Sequence, residues 1–414
     1  MTAKQRILTA LKRGQPDTIP VSPFIVMRFA YRLTGRKDWR GFFQSHKIIG
    51  TTPFNMKIPI NFDVELKPGW GRVLNTKGGK GNFQFDRSQL QAPFWGDISG
   101  PLYDDAVAEG EGMVETTRFN RSLGPSLTTL NIETPIGRLV SQKQEGFIPE
   151  DPMVPKITDY LVKERKDYKI YMAYLKEWVD SATPRVSQLD EAVEELGEDG
   201  VFTVWVYNIF SDLAQGGREM QELFLDIYDE PQLMEEVWKT LRSLKEKEIQ
   251  AFNDSKAEVL IYDQGWTSQD LISPKFFEHW ILPDLVWAAK NIRKDKYLGF
   301  YQSGKLTDLL PLMVEAGPAF IETFDPIGDN ISLGEAKRRY GERVCLMGNF
   351  NSILLAQGNR DEARQETERC IREGAAHGGY ILGTSGEVPV DAKIENLNTM
   401  VDVAKEYGQR LYGR

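Results

Sequence analysis

Several polar side chains stand where apolar runs end. Asp263 follows Val259–Tyr262, Tyr301 and Gln302 follow Leu298–Phe300, Glu322 follows Ala319–Ile321 with Asp325 just beyond, and Asn349 lies after Val344–Met347. Carboxyl and phenol groups gathered at one opening can act as general acid and base or hold a cation. Asp263, Tyr301 and Glu322 are therefore the expected catalytic groups. Asn208, after Val201–Val206, and Glu387, in the loop after Tyr380–Leu382, join Gln302, Asp325 and Asn349 as expected substrate contacts. Trp266, in the loop after Asp263, would stack on a flat ligand. Arg28, Tyr31 and Arg32 follow the run Ile19–Met27 and make a cationic cluster suited to a substrate carboxylate or phosphate. For each residue singly, a hydrogen-bonded layer bracing loops is the competing reading. The three histidines (His46, His279, His377) show no ligand spacing, so no histidine-based metal site is expected.

Strands must hold these groups, and the chain supplies them in a rhythm. Between Leu298 and Pro389 an apolar run, a polar or glycine break and a helical segment recur. Short continuous apolar runs between helices imply buried parallel strands in βα units. With Val21, Phe62, Val201 and Val259 marking earlier runs, the strand count is eight, which predicts a (β/α)8 TIM barrel whose functional residues lie at strand C-termini. The first run contains Pro20 and Pro23, and the second is expected over residues 58–64, ending near Asp63. Helices are expected over 3–14, 38–49, 158–179, 186–197, 219–226, 230–253 and 391–410, and one opening at Ser273-Pro274, an N-cap and first-turn pair. Residues 66–150, rich in Gly, Pro and aromatics, break the rhythm. They are read as a β-rich insertion over the mouth of a single barrel domain spanning 1–414. Thr76-Lys77-Gly78-Gly79-Lys80-Gly81 lacks the strand–loop–helix setting and the terminal Lys-Ser/Thr of a phosphate loop, and reads as a hairpin turn.

Composition narrows the classes. The chain has 414 residues, 41% hydrophobic and 27% charged, with net charge −9, which argues against a nucleic-acid partner because that needs a basic face. Two cysteines, Cys345 in an apolar run and Cys370 on a helix, read as buried hydrophobes. No run approaches the ~20 apolar residues of a membrane span and no signal peptide precedes Thr2, so a reduced cytoplasmic compartment is expected.

The chain also resembles a known superfamily. Arg6-Ile7-Leu8-Thr9-Ala10-Leu11, then Asp17-Thr18-Ile19-Pro20-Val21, is similar to the N-terminal signature of the uroporphyrinogen decarboxylase superfamily, which includes corrinoid-dependent methyltransferases. Similar too are Asp263 followed by Ile272-Ser273-Pro274, Gly348-Asn349 after a strand, Gly378-Gly379-Tyr380-Ile381-Leu382, Glu387-Val388-Pro389 and Glu395-Asn396. The resemblance spans nearly the whole chain and implies the same barrel. Its departures bear on activity. Where decarboxylases carry Met-Arg-Gln-Ala-Gly-Arg, this chain has Met27-Arg28-Phe29-Ala30-Tyr31-Arg32, and Ser385 replaces their histidine before the final Gly-x-x-Pro. Thiol-methylating members bind zinc through His-x-Cys-Gly and a later Cys; the matching positions here are Tyr301, Ser303 and Gly386, so no zinc is expected there. What remains most resembles the O-demethylase methyltransferases. That implies methyl transfer from a small methoxylated aromatic to a cobalamin-type corrinoid carried by a partner corrinoid protein, with a homodimer left open. The alternatives are a decarboxylase of a porphyrinogen or related electron-rich ring, and a non-catalytic ligand-binding barrel.

Overall fold

The computed structural model describes residues 1–78, 83–86, 125–148, 155–323 and 325–412. Seven parallel strands lie side by side in chain order: Met56–Ile58, Phe202–Tyr207, Val259–Asp263, Tyr297–Tyr301, Phe320–Glu322, Cys345–Phe350 and Tyr380–Thr384. Most of their residues are buried, as strands covered on both faces must be. Helices between them shield the outside: Met220–Asp229, Pro231–Asp254, Leu282–Asn291, Leu310–Ala316, Leu333–Tyr340, Arg360–Gly374 and Ile394–Tyr412. The expected α/β barrel is the fold.

Its closure is irregular for a chemical reason. Pro20 and Pro23 have no backbone N–H, so the first apolar run cannot form a regular ladder. It pairs instead through isolated bridges, Val21 with Leu382 and Phe24 with Glu387. Ser22 N–H donates to the Leu382 carbonyl at 2.8 Å, Leu382 N–H to Pro20 at 2.9 Å and Val388 N–H to Phe24 at 2.9 Å. On the other side Thr52 N–H reaches the Val21 carbonyl at 2.7 Å, just ahead of the Met56–Ile58 strand. This segment is the eighth stave.

Two expectations about the early chain need correction. The second barrel strand is Met56–Ile58, not residues 58–64; Phe62–Val64 pairs antiparallel with Ala182–Pro184 outside the barrel. Asp63 is consequently an outer residue, ion-paired with Arg185. Arg28 does not end a strand. It lies in the first turn of the helix Met27–Thr34.

Two apolar layers follow from strand alternation. Tyr262, Phe300 and Ile321 face outward into the core shared with the helices, whereas Ile261, Tyr301, Phe320 and Met347 face the lumen. The lumen is closed at its N-terminal end by the helix Ala3–Leu11, which contributes Ile7, Ala10 and Leu11 to the inner cluster. Lys4 pairs with Glu258, immediately before a barrel strand, and fixes that helix beneath the sheet. Only the C-terminal end is left for chemistry.

A second sheet, antiparallel and five-stranded, comprises Phe83–Asp86, Gly71–Gly78, Ser126–Thr134, Gly137–Glu145 and Lys156–Asp159 in that order. It extends past residue 150. Gly71–Gly78 pairs with Phe83–Asp86, so the glycine-rich run begins at a hairpin end, with Gly79–Gly81 outside the described residues. Gly137, at φ 151°, lets the sheet approach the helix Tyr168–Ser181: a Cβ there would stand 2.5 Å from Ile170 Cδ1.

In the lumen Gly299 is a spacing device, because a Cβ on it would lie 2.1 Å from the Phe320 ring, which also packs against Phe54. Gly299→Ala must displace that ring, and overpacking of this kind costs about 2 kcal/mol. A urea titration should show the midpoint lowered accordingly; an unchanged midpoint contradicts this packing.

Candidate active site

Register brings the three expected catalytic residues together. Asp263 is the Cα partner of Tyr301, and Tyr301 of Glu322. Registered residues of parallel strands face the same side, so all three point into the lumen at the C-terminal strand ends. They are buried: Asp263 is 3% exposed, Tyr301 9% and Glu322 0%. Asp263 is held on both oxygens, Oδ1 accepting from Gly265 N–H at 2.6 Å and Oδ2 from the Trp205 indole N–H at 3.1 Å. Glu322 Oε1 accepts from Asn55 Nδ2 at 2.5 Å, while Oε2 has no hydrogen-bond partner among the described residues. That oxygen is the group available for work.

The backbone around Glu322 is unusual. Asn55 (φ 39°), Thr323 (φ 50°) and Asn349 (φ 71°) all adopt left-handed conformations. Thr323 is the telling case, since a β-branched side chain resists that region. Its hydroxyl donates to the Gln302 carbonyl at 3.2 Å and its N–H to Met347 at 2.9 Å, which hold it there. Such conformations cost on the order of 1–3 kcal/mol each and persist only where surrounding contacts impose them.

A residue absent from the sequence reading occupies the centre. Lys57, from the Met56–Ile58 strand, is 1% exposed. Its Nζ lies 2.9 Å from the Phe24 ring centroid, 3.1 Å from that of Trp205 and 4.5 Å from that of Tyr301. The rings also pack on one another, Phe24 edge-on to Tyr301 at 5.3 Å and Trp205 tilted on Tyr301 at 5.2 Å. Ring faces attract an ammonium, more strongly when water is excluded. The available signal was a lone lysine in Phe54-Asn55-Met56-Lys57-Ile58.

The electrostatics follow from burial and this cation. Burial pushes the Asp263 carboxyl up to about 6, opposed first by the Lys57 charge and then by its hydrogen bonds, with Asp212 adding a small push upward. Burial likewise pushes Glu322 up to about 7, opposed by Lys57 and the Asn55 bond, while the Asp263 charge raises it further. The Tyr301 phenol is driven upward by burial and both carboxyls, and stays a neutral donor. Both carboxyls are thus raised toward the neutral range, beside a phenol that stays neutral.

The other expected residues are placed differently. Arg28 is ion-paired with Glu387, and Arg32 donates to the Val390 carbonyl at 2.6 Å and to that of Ala392 at 3.2 Å. Tyr31 carries the Lys37 ammonium 4.7 Å over its ring. Asn208 is a helix N-cap, accepting from Ser211 N–H at 2.8 Å and donating to the Asp263 carbonyl at 2.6 Å, so it braces the site. Gln302 is buried and donates to the Ser303 carbonyl at 3.1 Å. Asp325 stabilises a turn by accepting from Ile327 N–H at 2.9 Å. Asn349 is buried, and its carbonyl accepts from Arg369 at 2.8 Å. Trp266 is 41% exposed on the rim. Both cysteines are buried, their thiols pushed up to about 12 by burial, as inert core residues should be. Among the described residues no group of three or more His, Cys, Asp or Glu could hold a metal ion. No described helix is long and apolar enough to cross a membrane.

A family profile described as uroporphyrinogen decarboxylase (URO-D) matches residues 172–407, more than half of the chain. The chain belongs to the uroporphyrinogen decarboxylase family. Curated relatives include the uroporphyrinogen decarboxylase of Neisseria meningitidis serogroup B, 22% identical over 270 residues, covering 63% of this chain and 73% of the relative. The uroporphyrinogen decarboxylase of Xanthomonas campestris pv. campestris is 21% identical over 235 residues, covering 54% of this chain and 63% of that protein. Among solved structures, a methyltransferase from Methanosarcina mazei superposes with a TM-score of 0.59 at 14% identity, covering 98% of this chain and 99% of that one. That likeness is one of fold. Within the family, then, neither decarboxylation nor methyl transfer follows from similarity alone.

The raised Glu322 carboxyl has a consequence for stability. A carboxyl whose folded value lies above its ordinary 4.5 binds protons more tightly when folded, so its contribution is present at low pH and is lost as pH rises to about 7. Between pH 4 and 8, wild type should lose on the order of 3 kcal/mol relative to Glu322→Gln, by the value of one pKa unit. Denaturant titrations at stepped pH read this directly, and parallel stability curves would refute it.

Proposed function

We propose that this protein transfers a methyl group from a methoxylated aromatic to the cobalt of a corrinoid, carried by a partner protein. The observation that carries the reading is Glu322: a buried carboxyl raised to about 7, with Oε2 unbonded among the described residues, in register with the Tyr301 phenol at the barrel mouth. An aryl methyl ether leaves as a phenolate, and a proton delivered to its oxygen lowers the barrier. Overall, the ether C–O bond breaks, the methyl group passes to cobalt, and a proton passes to the oxygen to give the phenol. Glu322 supplies that proton, Tyr301 donates a hydrogen bond, and Asp263, fixed by Gly265 and Trp205, keeps the second carboxyl in place. The rings of Phe24, Trp205 and Tyr301, packed on one another and around Lys57, keep water from the proton donors.

A corrinoid, when bound, supplies the cobalt nucleophile. The rim chemistry fits a flat macrocycle or its carrier: Trp266, Leu271 and Ile327 are 41%, 43% and 53% exposed in loops at the strand C-termini. Zinc does not fit Tyr301, Ser303 and Gly386, which offer no thiol, imidazole or carboxylate, so no step is assigned to it.

Arg28 and Arg32 separate this reading from decarboxylation. The resemblance assigns them to substrate acid groups, yet Arg28 is paired with Glu387 and Arg32 with backbone carbonyls. A lumen already holding two carboxyls also suits a neutral ether better than a polycarboxylate. The names of the Neisseria and Xanthomonas relatives favour the decarboxylase reading, and assay separates the two.

Reduced cobalamin with a panel of methoxyarenes, without added zinc, should yield methylcobalamin. Tyr301→Phe, Asp263→Asn and Glu322→Gln should each cut turnover about a hundredfold, with little change in apparent affinity, because proton donation acts mainly in the transition state. Removing Arg28, whose partner is Glu387, should leave turnover of a neutral methoxyarene largely unchanged. No methylcobalamin across the panel, together with coproporphyrinogen formed from uroporphyrinogen, assigns the chain to decarboxylation. Neither activity, with ligand binding unchanged in the Asp263 and Tyr301 variants, identifies a binding barrel.

A further inference from the structure

We propose that the Lys57 ammonium, enclosed by Phe24, Trp205 and Tyr301, is the permanent cation of this site and holds Asp263 and Glu322 to a single shared proton. Lys57 is then the positioning residue for the acid used above. Only that use of the proton rests on the proposed function; the protonation state does not.

The argument begins with sequence. Lys57 is flanked by Met56 and Ile58 and follows Phe54, all fully buried, on a three-residue strand that leaves no route for snorkelling to water. An ammonium moved into an apolar lumen loses its hydration and needs compensation from inside. Ring faces provide part of it, at 2.9 Å and 3.1 Å to the nearer two centroids. The rest comes from the carboxyls, both of which feel the Lys57 charge.

Charge counting then sets the proton number. With both carboxyls ionised the buried group carries one net negative charge. With both protonated it carries one positive charge, and with one proton between them it is neutral. A poorly solvated lumen favours the neutral arrangement, and the Asp263 charge from two strands away also raises Glu322. The remaining groups facing the set do not alter the count. Tyr301 stays a neutral phenol. Asp212, which touches Asp263 electrostatically from the outer side, is itself paired with Lys245 at 2.6 Å.

The geometry also excludes a simpler role. Phe24, Trp205 and Tyr301 wall the ammonium off, so it acts on bound reactants through the carboxyls rather than by contact. Losing the cation removes the one charge that pulls both carboxyls downward. The proton pair should then remain on them to higher pH, leaving the site doubly protonated at neutrality.

Infrared difference spectra of the whole protein across pH 4–9 read protonated carboxyls directly. Subtraction of Glu322→Gln and Asp263→Asn spectra assigns the bands and separates them from Glu248, also raised to about 7. In wild type we expect one protonated carboxyl from this pair at neutral pH. In Lys57→Met both bands should persist to a pH higher by about one unit or more, and Lys57→Arg should restore the wild-type titration. A folded Lys57→Met protein with unchanged titration overturns the proposal. Should Lys57→Met not fold, carbon-13 NMR of lysine Cε in wild type decides instead. A Lys57 resonance that stays charged through the carboxyl titration supports the proposal, and a neutral amine at pH 7 overturns it. Failure to form methylcobalamin, with these spectra as expected, sinks only the proposed reaction.

Discussion

A lysine ammonium buried in the lumen of an apolar barrel has to be neutralised by what the barrel itself can offer. Here that requirement links features that otherwise look separate. Three aromatic rings from three different staves converge on Lys57 Nζ, and two carboxyls from two further strands answer its charge. Those carboxyls are in turn pinned by Trp205, Gly265 and Asn55, the last of which sits in a left-handed conformation. Remove the cation and the aromatic walls face a pair of acids with no counter-charge.

The parallel sheet contributes alignment rather than affinity. Because registered residues share a face, placing Asp263, Tyr301 and Glu322 at the ends of three consecutive strands suffices to set carboxyl, phenol and carboxyl side by side. A glycine, Gly299, keeps the layer below from crowding them. The same chemistry repeats behind the sheet, where Lys245 binds Asp212 at 2.6 Å and Glu248 at 2.9 Å. Among the described residues a buried lysine answered by two acids thus recurs, by direct ion pairs outside the lumen and through its field within it.

Much of this was legible in the residue order, for identifiable reasons. The strands from Phe202 onward are continuous apolar runs, because both their faces are covered, and their polar ends stand out against them. Lys57 escaped notice because its strand has only three residues, lies between Pro53 and Pro59, and carries a charge in mid-strand. The longer Ile58–Val64 stretch looked more strand-like, yet it contributes an antiparallel pair outside the barrel. Arg28 was misplaced for a related reason. The prolines end the extended segment early, and a helix begins at Met27. Its pairing with Glu387, 359 positions away, is a product of barrel closure that no local pattern encodes.

The proline-bearing stave has one more implication. Hydrogen bonds joining it to its neighbours are few and irregular, so this seam is where the cylinder can part with the smallest loss of backbone bonding. Phe24 belongs to that stave, and so does one wall around Lys57. Opening of the seam would do more than admit solvent: it would withdraw a ring from Lys57, whose charge bears on both Asp263 and Glu322. A parting of this irregular joint would thus reach the charge state at the barrel's centre through a single ring, Phe24.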